Sequence, residues 1–127
     1  MLFAIALPQP LLAYDEQAVY RDFQAFAQEW MTALNNTSRR NLRRAGQKPT
    51  QPGITHNRYA CYGPECKIWI KKTDSPQTPY LGFIRYPEKH YRKEIKPTAS
   101  NPATQDVLLA TFPVTEIFRF SDNRWVR

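Results

Sequence analysis

Between Asp15 and Leu34 the apolar residues Val19, Phe23, Phe26, Ala27, Trp30 and Leu34 return every three or four positions, while Glu16, Arg21, Gln24, Gln28 and Glu29 fall mostly between them. That period predicts an amphipathic helix with its apolar stripe turned to a core. Asp15 is placed to cap it, Glu16 suits the positive end of the helix dipole, and Tyr14 can staple onto Val19. Asn35-Asn36 weakens the pattern; Thr37 or Ser38 can cap a second, shorter helix through Ala45, closed by Gly46. After the connector QKPTQPG, residues 47–53, the period changes to two. Ile68 and Ile70 alternate with Lys67, Trp69 and Lys71, residues 80–86 (YLGFIRY) and 114–120 (VTEIFRF) are β-rich runs, and residues 59–62 offer a further strand. Residues 74–79 read as a turn, residues 96–102 as a loop, and Ser121-Asp122-Asn123 as the hairpin before Arg124-Trp125-Val126. The prediction is an α+β domain in which one long N-terminal helix packs on a curved antiparallel sheet.

Ahead of the helix, residues 1–13 (MLFAIALPQPLLA) carry no charge, and the polar Tyr14-Asp15-Glu16-Gln17 follows directly. A membrane-spanning helix needs about 20 apolar residues, so the stretch is too short for one. It reads as the remnant of a secretory signal, an apolar core broken by Pro8 and Pro10 with Ala13 as the small residue at the cleaved bond, although no basic residue precedes that core. Residues 14–127 are then a single domain, periplasmic or secreted, since 127 residues suffice for one core and not two. A cytoplasmic protein with a buried N-terminal arm is the alternative.

That compartment bears on CYGPEC, residues 61–66, which holds the two cysteines of the chain. A zinc site takes four ligands, and His56 and His90 are the only imidazoles. A thioredoxin-type pair is spaced Cys-x-x-Cys at a helix start, whereas Gly63-Pro64 marks a turn. In an exported chain the expectation is a Cys61–Cys66 disulfide pinning a tight turn between two strands, worth roughly 2 kcal/mol. Neither a metal nor a cofactor is expected.

Helix first, then strands, then the ending IFRFSDNRWV of residues 117–126 resembles the cystatin-like, NTF2-like superfamily, where an aromatic strand, a polar turn and a buried tryptophan close the sheet. The resemblance implies a helix wrapped by a curved sheet. For the NTF2-like enzymes it also implies a carboxylate or histidine facing the cone between helix and sheet. The Gln-x-Val-x-Gly motif of inhibitory cystatins is absent, which sets protease inhibition aside.

A general base needs burial or a charged partner to tune it, so the catalytic candidates are Glu116, in the period of Val114, Phe118 and Phe120, and His90, in the polar run Glu88-Lys89-His90-Tyr91-Arg92. The plainer reading pairs Glu116 with Arg85 or Arg119 on an exposed face and leaves His90 solvated. No Ser-His-Asp order, nucleotide loop or metal-ligand cluster stands out. Charge says more: Lys and Arg number 18 against 11 Asp and Glu, a net charge of +7. No acid lies between Glu29 and Glu65, where Arg39, Arg40, Arg43 and Arg44 fall at four-residue spacings that form a basic ridge on a helix. Lys89, Arg92, Lys93 and Lys96 make a second group, and Trp69 is the outward member of its strand. The expected function is a small exported, non-catalytic binding domain for an acidic protein, an anionic lipid surface or a small ligand, through Arg39, Arg40, Arg43, Arg44, Trp69 and Tyr86. The alternatives are an NTF2-like enzyme with a pocket between helix and sheet, and a basic single-stranded nucleic-acid binder. An exported protein meets little nucleic acid, so that partner is the least favoured.

Overall fold

The computed structural model describes residues 14–47, 56–96 and 103–127. One helix, α1 (Glu16–Gln47), precedes five strands: β1 (His56–Tyr62), β2 (Lys67–Lys72), β3 (Tyr80–Lys96), β4 (Ala103–Ser121) and β5 (Arg124–Val126). All pair antiparallel in one sheet that does not close into a barrel, so the fold is α+β with a long helix on an antiparallel sheet. Met1 to Ala13, with the expected signal remnant, lies outside the described residues.

The expected second helix does not form; α1 runs unbroken through Asn35 and Asn36, both exposed. Thr37 and Ser38 do not cap. Their hydroxyls donate back to the carbonyls of Ala33 and Leu34, both at 3.1 Å, which satisfies them inside a continuing helix. Asp15 does cap, its carboxylate accepting the Gln17 amide at 3.1 Å. The Tyr14 ring meets Phe120 edge-on at 5.5 Å.

β3 and β4 form a ribbon that extends well beyond residues 80–86 and 114–120, through the polar run that reads as solvated in the sequence. Cross-strand partners hold that part together. Tyr59 stacks on Tyr91 at 5.3 Å, and the Asp106 carboxylate accepts from the Tyr59 hydroxyl at 2.7 Å and faces Lys93 Nζ at 3.1 Å. A bulge interrupts the register between His90 and Tyr91, where Leu109 has no partner on β3.

β1 and β2 lie end to end along the same side of β3, β1 against residues 88–94 and β2 against residues 80–85. This overturns the expected Cys61–Cys66 disulfide: both cysteines are free thiols. CYGPEC is no hairpin turn but a break within one line of strand. Cys61 and Lys67 sit opposite Lys89 and Arg85, four residues apart on β3, or about 13 Å at the rise of a strand. Cys66 is only one residue nearer, and the Cα atoms of a disulfide stand no more than about 7 Å apart. Gly63, at φ 78°, bends the chain at the break and donates its amide to the Pro87 carbonyl at 2.9 Å.

The core lies where the first half of α1 crosses β3, β4 and β5. Val19, Phe23 and Ala27 meet Tyr80, Ile84, Tyr86, Phe118, Phe120 and Trp125. Phe23 is wholly enclosed, with the Trp125 and Phe118 ring centres at 4.5 and 6.3 Å. Its ring lies directly on Gly82, where any Cβ would fall inside van der Waals distance of three ring atoms. The second half of α1 runs along the outer edge of β1 and occupies its backbone groups: Asn41 donates to the Ala60 carbonyl at 2.8 Å, and the Tyr62 amide donates to the Ser38 hydroxyl at 2.8 Å. The edge that would otherwise invite pairing is thus covered. The Asp122-Asn123 hairpin joins β4 to β5 with φ of 53° and 61°, the positive pair of a type I′ turn.

Candidate binding face

Strand alternation sorts the side chains of β2, β3 and β4 onto two faces. The register puts Ile68, Ile70, Gly82, Ile84, Phe118 and Phe120 beneath α1. It follows that Lys67, Trp69 and Lys71, Leu81, Phe83 and Arg85, and Thr115, Ile117 and Arg119 project from the opposite face, which no described element covers. Trp69, Phe83 and Ile117 are directly opposite one another and form a row across three strands. Trp69 and Phe83 stack in parallel, ring centres 5.1 Å apart and planes within 5°. Trp69 is 37% exposed and Ile117 55%.

The same face carries Lys67, Lys71, Arg85, Lys89, Arg119 and Arg124, and no carboxylate occupies its strand positions around the row; further along the ribbon the same alternation sets Lys93 against Asp106. Lys89 is approached by Glu65, from just before β2, at 3.7 Å; among the described residues the other five reach no carboxylate within 4 Å. A cleft of about 440 Å³ lies beside Arg85, lined also by Glu65, Cys66, Lys67, Tyr86, Pro87, Thr111 and Pro113. Exposed cations around a desolvatable aromatic pair attract a partner of opposite charge and then bury apolar area against it.

Of the residues singled out from the sequence, Trp69 is on this face. Tyr86 is not: it is buried on the α1 side, and its hydroxyl donates to Glu116 Oε1 at 3.2 Å. Burial, then the Glu116 charge, pushes the Tyr86 phenol up to about 12. Glu116 is also on the α1 side, opposite Ile84, with Arg127 Nη2 at 3.6 Å from its other oxygen. It therefore pairs with neither Arg85 nor Arg119, which project from the far face opposite Thr115 and Leu81. The Arg127 guanidinium also sits over the Trp30 ring at 5.1 Å. His90 faces Glu88 Oε2 at 3.1 Å and the edge of Phe112. It stands opposite Ala110, six residues along β4 from Glu116, about 20 Å at strand rise, so the two catalytic candidates do not converge. Phe23, Phe26, Trp30, Phe118 and Trp125 pack together between helix and sheet, and beside them a cleft of about 350 Å³ opens between α1 and β2, lined by Ala27, Met31, Tyr62, Cys66 and Ile68 and by neither Glu116 nor His90.

Arg39, Arg40, Arg43 and Arg44 are exposed on the last turns of α1, away from the strands that bear Trp69, and Arg40 donates to the Thr37 hydroxyl at 3.0 Å. Among the described residues no three His, Cys, Asp or Glu side chains converge in a metal-binding group, and no helix is long and apolar enough to cross a membrane. Phe83 and Ile117 are unremarkable within their own strands, and Arg85 and Arg119 read from the sequence only as partners for Glu116. Only the pairing of β2, β3 and β4 aligns them with Trp69. No family model, curated protein or solved structure matches this chain.

Proposed function

We propose that this chain is a non-catalytic binding domain whose outer sheet face takes an acidic protein partner. One observation carries the reading: five cations, Lys67, Lys71, Arg85, Arg119 and Arg124, flank the row Trp69–Phe83–Ile117 on a part of the sheet whose outward strand positions present no carboxylate. An apolar centre within a charged rim is the make-up of a protein-binding patch. Parallel stacking of Trp69 on Phe83 supports protein over single-stranded nucleic acid, because each ring gives one of its π-faces to the other instead of to a base. The separation of Glu116 from His90, neither of which lines the cleft between α1 and β2, supports a binding role over catalysis. The apolar residues 1–13 support export, and the order of helix and strands supports a relation to the cystatin-like superfamily.

The test is fluorescence anisotropy on the full chain with a labelled peptide of alternating Glu and Phe, alongside an oligo-dT strand and phosphatidylglycerol vesicles. Peptide binding is expected to weaken with salt, and Arg85→Glu and Trp69→Ala each to reduce it by roughly tenfold or more. Binding only to the oligonucleotide or the vesicles, or peptide binding indifferent to both substitutions, overturns the proposal.

A further inference from the structure

β4 has two edges. One is paired with β3 along its length, whereas among the described residues the other is covered only by β5, at Arg119–Ser121. The direction of the remaining backbone groups follows from the prolines. Pro87 and Pro113 are directly opposite, and neither has an amide hydrogen, so theirs is a non-hydrogen-bonded pair whose polar groups point away from each other. The Pro87 carbonyl does point to the other side of β3, where it accepts from Gly63. By alternation the amides and carbonyls of Thr111, Thr115 and Ile117 point out from the free edge of β4, in line with those that Arg119 gives to Val126 on β5.

Pro113 and the bulge at Leu109 interrupt this edge, but the charged side chains that usually guard one are missing from it. No Lys or Arg occurs from Ala103 to Phe118, and the two acids there are engaged, Asp106 with Lys93 and Tyr59, Glu116 with Tyr86 and Arg127. The run instead bears Leu108, Leu109, Phe112 and Ile117, each at least 41% exposed. By contrast, α1 side chains occupy the edge of β1.

We infer that the free edge of β4 pairs antiparallel with β4 of a second copy of this chain. Charge selects that occupant. Two chains of net charge +7 repel across most of their surfaces, and an acidic partner is drawn to the cationic face. The stretch from Ala103 to Phe118 has no cation and no unpaired acid, so here two copies meet without like-charge contact. The pairing is isologous: each copy offers the same donors and acceptors, so a two-fold axis satisfies both edges and closes the assembly at a dimer.

Sedimentation velocity on the full chain under reducing conditions tests this over a concentration series. Thr115→Pro deletes one outward amide and leaves every β3–β4 bond in place; Thr111→Lys puts a cation on the edge of each copy. A concentration-dependent dimer is expected, with each substitution raising its dissociation constant by roughly tenfold, about 1.4 kcal/mol. The far-UV circular dichroism of both variants stays that of the parent. A monomer at every concentration, or a dimer unmoved by both substitutions in folded protein, overturns the inference. Trp69→Ala and Arg85→Glu leave the dimer intact, so the binding face and the edge fail or stand separately.

Discussion

Gly82→Ala is the sharpest test of which face of β3 meets the helix. A methyl group here enters the Phe23 ring, and that ring cannot step aside because it is fully buried between Phe118 and Trp125 and beside Phe26 at 6.1 Å. Overpacking of this kind costs about 1–3 kcal/mol, while the lost freedom of the unfolded chain returns some 0.4–1 kcal/mol. The net expectation is destabilisation by about 1–2 kcal/mol, or roughly 3–8 °C in Tm for a domain of this size. Were Gly82 on the solvent face, only the second effect would act and alanine would stabilise, so the sign alone decides. Urea unfolding followed by circular dichroism and tryptophan fluorescence gives the free energies. Phe23→Leu, which alone costs about 1–2 kcal/mol, makes room for the methyl group; the double variant is expected to be more stable than the two single losses predict by about 1 kcal/mol. A neutral or stabilising Gly82→Ala, or an additive cycle, would refute the packing, and with it the outward direction of Leu81 and Phe83.

The phenols of Tyr86, Tyr59 and Tyr80 are all pushed up, in each case first by burial; Tyr86 reaches about 12. Above pH 10 the unfolded chain releases these protons and the folded chain keeps them, so stability is whole below pH 10 and is lost as pH rises further, for Tyr86 between pH 10 and about 12; Tyr86→Phe is expected to flatten that part of the loss in alkaline urea titrations. Both thiols alkylate in protein never exposed to reductant, Cys66 first because it is exposed and Cys61 later because burial raises its thiol, and intact mass against time reads the order. A protein that takes up no alkyl group until reduced would restore the disulfide. Ser38→Ala removes the acceptor of the Tyr62 amide and is expected to cost about 1–3 kcal/mol, with faster hydrogen exchange at Tyr62. Unchanged exchange there would mean that α1 does not cover the β1 edge.

The stripe from Val19 to Leu34 and the alternation around Ile68, Tyr80 and Phe118 are local patterns, and the elements they predict are present with the expected faces. What the chain does over longer distance was not legible. Asn35 and Asn36 look like a stop, yet the helix passes them because its far end gains partners on β1, at Ala60 and Tyr62, that lie 19 and 24 residues onward. Residues 88–94 look solvated because their partners, Tyr59, Asp106 and Phe112, are distant in sequence. Cys61 and Cys66 look like a clip because nearness in sequence was read as nearness in space. Two strands set end to end on β3 undo that reading.

The candidate face was hidden for the same reason, and its charge makes sense only after the strands are paired. Four carboxylates lie on strands, at Glu88, Glu94, Asp106 and Glu116, and each contacts a basic side chain: His90, Arg92, Lys93 and Arg127 in turn. The sheet's acids are therefore used up in internal pairs. Part of the excess that composition reports as +7 sits on Arg39, Arg40, Arg43 and Arg44 of α1, and part is left on strand positions facing away from α1, around Trp69 and Phe83. Had those cations been paired as well, the same composition would have produced a surface of near-neutral strand pairs with little reach beyond the first layer of solvent. Segregation is what turns an overall charge into a directed field. It also separates the two surfaces of β4, a cationic face, proposed as the site of an acidic partner, and a neutral edge, proposed as the meeting line of two copies.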